Sequence, residues 1–373
     1  MKHKILQINK FYYPHIGGVE TIVKQYAEYL TKNNEVCCLT INNKFKLFTK
    51  TEKINNVTVV RCGSLGTFFS MPISLSFFFK FLRIRKNFDI FHFHEPFPLA
   101  SILYCLIPKS TKVIVSWHSD IIKQKFFKKF AEYFQKKLCI RSDIIITTSQ
   151  RLFYNSHILQ LFKDKVNILP LSIDPQKYEY ININNISKEL KIKREYILYL
   201  GRFSYYKGID VLLKAISQLN DNLSATFVIA GSGKINKQLS RKISTLKNKN
   251  VILINRFLNE DEKKYLLKHC LFFVFPSKYP SEAFGIIQLE AMIYGKPVIN
   301  TDLPTGVPYV SQDGLTGLTV PANDHKALSY AISKLLNDRK LIEIYGLNAK
   351  KRLLENFTDN IVLDKLKLFY DKI

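Results

Sequence analysis

The chain has 373 residues, with 56 Lys plus Arg against 30 Asp plus Glu, a formal net charge of +26 and a hydrophobic fraction of 47%. At roughly 100–200 residues per domain this length predicts two domains, and the composition excludes a disordered polycation. No apolar stretch of about 18 residues is free of charges and breakers, which excludes an integral membrane protein. The N-terminus predicts no secretory signal, and the six cysteines, which lack metal-ligand spacing, are interpreted as reduced core thiols of a cytosolic protein.

Short apolar runs alternate with longer amphipathic runs along the first half of the chain. The strands predicted there are Lys4–Asn9, Glu35–Ile41, Val57–Arg61, Asp89–Phe93, Lys112–Ser116, Asp143–Thr147 and Val166–Leu169. Helices are predicted between most of these strands, including Val19–Lys32 and Gln150–Phe162. Alternation of strands and helices favours a mainly parallel, doubly wound sheet.

The segment Ile121–Arg141 is the most basic of the chain and is predicted to form an amphipathic helix. At helical spacing one of its faces carries Phe126, Phe130, Phe134 and Leu138. One interpretation places the phenylalanines in the core and the lysines in solvent, and the other lays the helix on an anionic membrane. A second aromatic and basic stretch, Phe68–Lys86, adds weight to the membrane interpretation.

The second half repeats the α/β pattern. Its predicted strands are Tyr196–Leu200, Ser224–Ala230, Val251–Ile254, Leu271–Phe275, Pro297–Asn300 and Gly317–Val320. Its predicted helices are Gly208–Leu219, Glu260–His269, Ser281–Tyr294, Asp324–Leu336 and the C-terminal Thr358–Lys372. The weakly patterned segment Asp174–Arg194 is interpreted as a linker, so we predict domains at 1–180 and 181–357, followed by a C-terminal helix at 358–373 that packs back on the first domain.

Two loops of the first half have the composition of binding loops. Gly17 and Gly18 stand between a predicted strand and a predicted helix, where glycines let backbone amides approach an anion or a sugar. A plain tight turn explains them equally well. His118 follows a predicted strand, at the sheet edge where α/β folds bind ligands, and either contacts a sugar hydroxyl or caps the next helix with Asp120. His92 and His94 flank a strand end and are interpreted as structural.

The second half carries two cations just after the strand Tyr196–Leu200. The Arg202 guanidinium can bind phosphate oxygens with two hydrogen bonds, and Lys207 adds a positive charge at the start of the next helix. Together these residues predict a pyrophosphate site. The segment Ala230–Lys234 resembles a phosphate-binding loop only superficially, because Ile235 stands where such a loop has Ser or Thr, and we interpret it as a turn between a strand and a helix.

The most specific segment of the chain is Pro276–Gly295, PSKYPSEAFGIIQLEAMIYG. Glu290 is a charge inside an apolar helix, and a carboxylate there can accept hydrogen bonds from the two hydroxyls of a ribose. Glu282, in the preceding loop, can bind a sugar, although an acidic residue at a helix start is also favoured by the helix dipole. The residues between them, Phe284, Gly285 and Ile286, can offer free backbone amides to phosphate.

This segment resembles the Glu-x(7)-Glu region of retaining glycosyltransferases of family 4. Further motifs of that family occur in order along nearly the whole chain, at Gly17–Glu20, Trp117–Asp120, Leu200–Asp210, Ile229–Lys234 and Asp313–Asp324. The resemblance implies a GT-B fold, which consists of two Rossmann-like, doubly wound α/β domains facing each other across a cleft. The first domain would meet the acceptor and the second would bind a nucleotide sugar.

The resemblance also implies roles for individual residues. The donor-binding residues are Gly17, Gly18, Arg202, Lys207, Phe257, Glu282, Phe284, Gly285, Ile286 and Glu290, and the catalytic residues are His118 and Glu282. In these roles Arg202 and Lys207 neutralise the diphosphate, Glu290 binds the ribose and Phe257 lies near the base. Glu282 holds the donor sugar, and His118 faces that sugar from the first domain.

The expected reaction is transfer of a hexosyl group to a glycan or lipid-linked glycan acceptor with retention of anomeric configuration. GDP-mannose is the favoured donor and a UDP-hexose the second, since the sequence resembles mannosyl and rhamnosyl transferases of surface-polysaccharide assembly. No metal and no cofactor are expected, because the two cations take the place of a metal. The excess positive charge is assigned to an anionic membrane, with the protein cytoplasmic and peripheral at its inner face.

Three alternatives remain open from the sequence. A nucleic-acid-binding protein would also be basic, but it would not need two glutamates at this spacing, and no nucleic-acid-binding module is visible. A sugar-nucleotide epimerase or a phosphorylase of the same fold fits the motifs less well. The third alternative is a membrane-associated protein that binds nucleotide sugars without catalysis.

Overall fold

The computed structural model describes residues 2–15, 17–68, 71–121, 125–182, 186, 190, 192, 195–219, 226–233, 243, 246 and 250–373. The chain divides into two compact units, the first comprising Met1–Pro170 with Leu363–Ile373 and the second comprising Leu171–Val362. Much of the predicted linker 174–194 lies outside the described residues. The assignment of an acceptor role to one domain and a donor role to the other stays a prediction.

An eight-stranded sheet forms the centre of the first unit, in the order β10-β9-β8-β7-β1-β2-β4-β3. The strands of this unit are β1 (Lys4–Ile8), β2 (Glu35–Ile41), β3 (Lys50–Ile54), β4 (Val57–Cys62), β5 (Thr67–Phe68), β6 (Met71–Pro72), β7 (Ile90–Glu95), β8 (Lys112–Trp117), β9 (Ile144–Thr147) and β10 (Val166–Ile168). The pairs within the large sheet are parallel except β3 with β4, and β5 pairs with β6 in a separate ribbon.

Helices cover the first sheet. They are α1 (Gly18–Leu30), α2 (Leu75–Ile84), α3 (Pro98–Ser101), α4 (Lys125–Arg141), α5 (Gln150–Asn155) and α6 (His157–Gln160). Phe77 and Phe81 of α2 and Leu138 and Cys139 of α4 are buried in one core cluster with the sheet. The helix predicted at Gln150–Phe162 is interrupted at Ser156, which has an extended backbone and caps α6 through its side-chain oxygen, an acceptor for Leu159 N.

The phenylalanines of the basic helix α4 do not all pack in the core, as one interpretation of the sequence expects. Ala131, Gln135, Leu138 and Cys139 face the core, whereas Phe130 is 57% exposed. The interpretation that buries Phe130 is therefore wrong. On the predicted face Leu138 is buried, Phe134 is half-buried and Phe130 is exposed, because the stripe that faces the core runs along Ala131, Gln135 and Leu138. Residues 122–124 and the side chain of Phe126 lie outside the described part of the chain.

The second unit contains a six-stranded parallel sheet in the order β13-β12-β11-β14-β15-β16. Its strands are β11 (Tyr196–Leu200), β12 (Thr226–Gly231), β13 (Val251–Asn255), β14 (Phe273–Val274), β15 (Val298–Thr301) and β16 (Gly317–Val320). Its helices are α7 (Ile209–Ser217), α8 (Glu260–His269), α9 (Ile286–Met292), α10 (Val307–Val310), α11 (His325–Asn337) and α12 (Arg339–Asn356). The last helix, α13 (Asp359–Asp371), starts in the second unit and ends in the first.

All six cysteines are free thiols, and only Cys105 among them is exposed. In the part of the chain that the structure describes, none of the helices combines the length and apolar character needed to cross a membrane.

Candidate active site

The loops after β11 and β14 meet at the carboxyl end of the second sheet. The β11 loop is held to its neighbour by hydrogen bonds from Gly201 N to Ala230 O (3.1 Å) and from Phe203 N to Ser232 O (2.8 Å). Gly208 ends this loop with φ +70°, and a Cβ there would overlap the Pro276 carbonyl oxygen. A glycine is required at this position, and it brings the β11 loop against the segment that follows β14.

Lys207 and Glu282 form the central ion pair of this site. Lys207 Nζ lies 2.5 Å from Glu282 Oε2, and the two side chains are only 14% and 10% exposed. Ser277 Oγ lies 3.4 Å from the same carboxylate oxygen, and the ammonium group lies 5.1 Å from the centre of the Phe275 ring. The structure thus brings together the two residues that the sequence assigned separately to diphosphate and sugar.

Arg202 belongs to the same loop as Lys207 but is exposed. Its guanidinium forms no hydrogen bond or ion pair with any residue that the structure describes. A guanidinium that is not used by the fold retains all its donors for an anion.

The segment Phe284–Ile286 enters α9 through Gly285, which has φ +78°. A Cβ at Gly285 would come within 2.6 Å of the Phe275 ring, so only glycine fits between that ring and the helix start. Gln288 Nε2 donates to Phe284 O at 3.0 Å and supports the turn from behind. The backbone amides of Phe284, Gly285 and Ile286 donate to no other described residue, so they remain available to an anion or a sugar.

Glu290 lies inside α9 and is buried. Its Oε1 accepts hydrogen bonds from the Tyr178 hydroxyl and from Lys263 Nζ, each at 3.1 Å. Its Oε2 is enclosed and has no partner in the described part of the chain. One oxygen is therefore held by the protein while the other is free to accept from a ligand.

The partners of Glu290 were missed by the sequence analysis. Burial lowers the pKa of Lys263, but the carboxylates of Glu290 and Glu260 outweigh burial, and the pKa is raised above the ordinary lysine value. Burial and then Glu290 raise the pKa of Tyr178, so its hydroxyl stays protonated and donates. Lys263 and Tyr178 are far from Glu290 in the sequence, and neither belongs to a recognisable motif. Their contact with Glu290 could therefore not be predicted from local spacing.

Phe257 follows β13 and is 69% exposed. The neighbouring Arg256 pairs with Glu262, which belongs to the capping box of α8. This pair fixes the backbone on either side of Phe257 and leaves the ring in solvent. The position of Phe257 near the base of the donor nucleotide stays a prediction.

In the first unit, Gly17 caps α1 and Gly18 begins it. Gly17 O accepts from Thr21 N at 3.0 Å and from Thr21 Oγ1 at 2.9 Å, which anchors the loop to the helix. Gly18 has open space where a Cβ would stand. A role for these glycines over donor phosphates stays a prediction.

His118 lies immediately after β8 and is buried with two other histidines. His118 Nε2 lies 3.0 Å from His94 Nδ1, and the two rings are stacked with 11° between their planes. The ring of His92 stacks on His94 with centroids 4.3 Å apart. Asp120 accepts from Trp117 Nε1 at 2.8 Å and from Ser156 Oγ at 2.7 Å. Residues 122–124, which precede α4, lie outside the described part of the chain, so capping of that helix by Asp120 stays a prediction.

Burial makes these three histidines neutral. It lowers the pKa of His118 to about 4, lowers that of His92, with a further contribution from His118, to about 3, and lowers that of His94 well below its ordinary value. A histidine in an unfolded chain has a pKa of about 6.5. Below that pH the unfolded state binds more protons than the folded state, so acid destabilises the first unit.

We therefore expect the free energy of unfolding to fall by roughly 2 kcal/mol per buried histidine between about pH 7 and pH 5. Urea denaturation of the wild-type chain and of His92→Phe at both pH values measures the effect. The variant should lose less stability on acidification, since it has one fewer histidine to protonate on unfolding. If the wild type and His92→Phe lose equal free energies of unfolding between these pH values, burial of His92 does not cause the destabilisation by acid.

The chain is similar to known proteins over most of its length. Residues 16–177 match the family described as Glycosyltransferase Family 4, and residues 182–352 match Glycosyl transferases group 1. The D-rhamnosyltransferase WbpZ of Pseudomonas aeruginosa is 30% identical over 290 residues, which are 78% of this chain and 75% of that protein. The O-antigen chain mannosyltransferase C of Escherichia coli is 28% identical over 362 residues, 97% of this chain and 96% of that protein.

The chain belongs to glycosyltransferase family 4. The resemblance stated from the sequence motifs is thereby confirmed. Sucrose-phosphate synthase from Thermosynechococcus elongatus has the same fold, with a TM-score of 0.80 at 18% identity over 100% of this chain and 99% of that one. This glycosyltransferase accordingly has the GT-B fold of two Rossmann-like α/β domains.

Proposed function

We propose that this glycosyltransferase transfers a hexosyl group from a nucleotide sugar to a glycan or lipid-linked glycan acceptor, with retention at the anomeric carbon. The observation that carries the proposal is the buried pair of Lys207, in the loop after β11 that also carries Arg202, and Glu282, in the segment after β14. These residues supply a carboxylate for the sugar and two cations for the diphosphate within one loop cluster.

The departing diphosphate gains negative charge as the glycosidic bond breaks. An ammonium group has three donors, and Lys207 uses one of them on Glu282, so two remain for phosphate oxygens. Arg202 adds a planar guanidinium that matches the geometry of a phosphate. Positive groups that are in place before the reaction stabilise the charge that develops in the transition state, and the proposal needs no divalent metal.

Glu282 and His118 are proposed to act on the donor sugar. Glu282 holds sugar hydroxyls and its negative charge favours the oxocarbenium-like transition state, while His118 contributes a neutral imidazole from the first unit. The free Oε2 of Glu290 supports the assignment of that residue to the ribose, since a ribose hydroxyl would give it a partner. Phe284–Ile286 and the Gly17–Gly18 loop supply backbone amides.

The names of the relatives favour a mannosyl or rhamnosyl type of donor and a role in surface polysaccharide synthesis, including lipopolysaccharide. GDP-mannose is the first choice of donor and a UDP-hexose the second. The alternatives are a sugar-nucleotide epimerase of this fold and a membrane-associated protein that binds nucleotide sugars without catalysis.

A panel of nucleotide sugars tests the proposal. Incubation of the full chain with each labelled donor and a lipid-linked glycan, followed by NMR of the product, separates transferred sugar from isomerised or free sugar. We expect transfer from one donor with the anomeric configuration kept, and no transfer by Glu282→Ala. An inverted product, an isomerised donor, or full activity of Glu282→Ala would each overturn the assignment.

We also propose that the first unit binds peripherally to an anionic membrane at the inner face of the cell. Helix α4 exposes Phe130 and Tyr133 among lysines, and α2 exposes Leu75 and Phe79 near Arg83. Both helices pack on the same core cluster. Apolar side chains interspersed with cations suit an interface where the former enter the lipid and the latter meet its headgroups.

The double variant Phe130→Ser/Tyr133→Ser is expected to bind vesicles containing phosphatidylglycerol at least about tenfold more weakly, since it loses two aromatic anchors. Sedimentation with vesicles measures the binding. Tyr330→Ser removes an aromatic ring of the second unit that is even more exposed than Phe130 and Tyr133, and it serves as the control. Binding that is insensitive to salt, to anionic lipid or to the double substitution would contradict the membrane proposal.

A further inference from the structure

Gln7, His94 and His118 form a hydrogen-bonded row inside the first unit. His118 Nε2 lies 3.0 Å from His94 Nδ1, and His94 Nε2 lies 3.1 Å from Gln7 Oε1. All three side chains are buried. The row starts on β1, crosses to the neighbouring β7 and ends at the loop after β8, so it links three adjacent strands.

The row specifies where the ring protons lie. A neutral imidazole has one donor and one acceptor, and the Gln7 carbonyl oxygen only accepts. His94 therefore carries its proton on Nε2, and its Nδ1 accepts from His118 Nε2. The amide nitrogen of Gln7 is enclosed and has no hydrogen-bond partner among the described residues, so the carbonyl oxygen is the atom through which Gln7 joins the row.

We propose that His94, oriented by Gln7, is a positioning residue that fixes His118 in the tautomer protonated on Nε2. His118 Nδ1, which has no hydrogen-bond partner among the described residues, is then an acceptor for a hydroxyl of the bound substrate. Without His94 the ring of His118 can exchange tautomers and rotate. The inference rests on the proposed function only through the role of His118.

His92 provides a matched control inside the same cluster. It is as buried as His94 and its ring stacks on His94, so replacing either histidine disturbs packing to a similar degree. The nitrogens of His92, however, bind the Tyr370 hydroxyl at 2.6 Å and Ser116 Oγ at 2.7 Å. A purely structural role of His94 therefore predicts equal effects of the two substitutions on turnover.

Steady-state kinetics with the preferred donor separate the two roles. His94→Phe keeps an aromatic ring and removes both nitrogens, and we expect kcat to fall roughly 10- to 100-fold, by analogy with the loss of the partner that orients a metal-bound histidine. The donor KM should change less than about twofold. His94→Asn restores an acceptor near Nδ1 and should recover a substantial part of the loss. His92→Phe should keep kcat within about threefold of wild type. Equal kcat in His94→Phe and His92→Phe would overturn the proposal.

Nitrogen-15 NMR of histidine-labelled full chain tests the tautomer without any turnover. We expect the signals of His118, assigned by their loss in His118→Gln, to show a protonated Nε2 and an unprotonated Nδ1. In His94→Phe the signals should become those of mixed tautomers. A proton on Nδ1 in the wild type, or an unchanged spectrum in His94→Phe, would overturn the proposal. Because this measurement needs no donor, it tests the role of His94 even if the proposed transfer reaction fails.

Discussion

Lys207→Ala is expected to lower kcat/KM for the donor by roughly 100- to 1000-fold, the range found when one preorganised donor to a developing negative charge is removed. The ammonium group is held 2.5 Å from Glu282 and is largely shielded from water, so its charge is in place before the diphosphate departs. Steady-state kinetics with the donor identified by the panel measure the effect. Arg202→Ala should also lower kcat/KM for the donor.

Lys278→Ala is the matched control for Lys207. Its side chain is also 14% exposed and forms an ion pair, 3.0 Å from Asp210. Loss of this pair should leave kcat/KM within a few-fold of wild type. Near wild-type kinetics of both Lys207→Ala and Arg202→Ala would refute the diphosphate assignment.

Loss of Lys207 also leaves a buried carboxylate without its cation, which destabilises the fold. Thermal unfolding of Lys207→Ala and of Lys207→Ala/Glu282→Gln separates this effect from the loss of catalysis. The double variant should regain stability, because it no longer buries an unpaired charge, and it should remain inactive.

Glu290→Gln is expected to weaken donor binding about 10- to 100-fold, because hydrogen bonds to a charged group contribute about 1.5–3 kcal/mol. The substitution keeps the volume and removes the negative charge at the free Oε2. Lys263 retains Glu260 as a partner at 2.8 Å, which limits the cost to the fold. The ribose does not change during the reaction, so kcat at saturating donor should change far less than the dissociation constant measured by calorimetry.

Tyr178→Phe is the control for Glu290. It removes one donor to Oε1 and leaves Oε2 as it is, so the dissociation constant should rise less than about tenfold. A fall in kcat with unchanged donor affinity in Glu290→Gln would exclude the ribose assignment and place this carboxylate at the reacting sugar.

Elements with strong periodic patterns were predicted well from the sequence. The bounds of Glu35–Ile41, Tyr196–Leu200, Gly317–Val320 and the helix Glu260–His269 agree with the structure. The edge strand β3 was missed because KTEKI lacks a buried alternate face, and α2 was missed because its run of phenylalanines hides the helical period. Short apolar runs identify buried strands, whereas edge strands depend on their neighbours for pairing.

The sequence by itself determined the two α/β halves, the family and the identity of the residues at the carboxyl ends of the strands. These features depend on local patterning and on motifs within a few residues of each other. Only the tertiary structure decided that Lys207 pairs with Glu282, that Tyr178 and Lys263 hold one oxygen of Glu290, and that Phe130 is exposed. The tertiary structure also shows that His94, which the sequence analysis interprets as structural, is the hydrogen-bond partner of His118.

The physical reason lies in strand register. The parallel pairing of β7 with β8 places His94 opposite Ser116 and Glu95 opposite Trp117, which brings the His118 backbone to Glu95 O at 2.9 Å and its ring to His94. A shift of one residue in that pairing would turn the side chains of one strand to the opposite face of the sheet. Register is set by the packing of the whole sheet, and no local pattern around His94 or His118 encodes it.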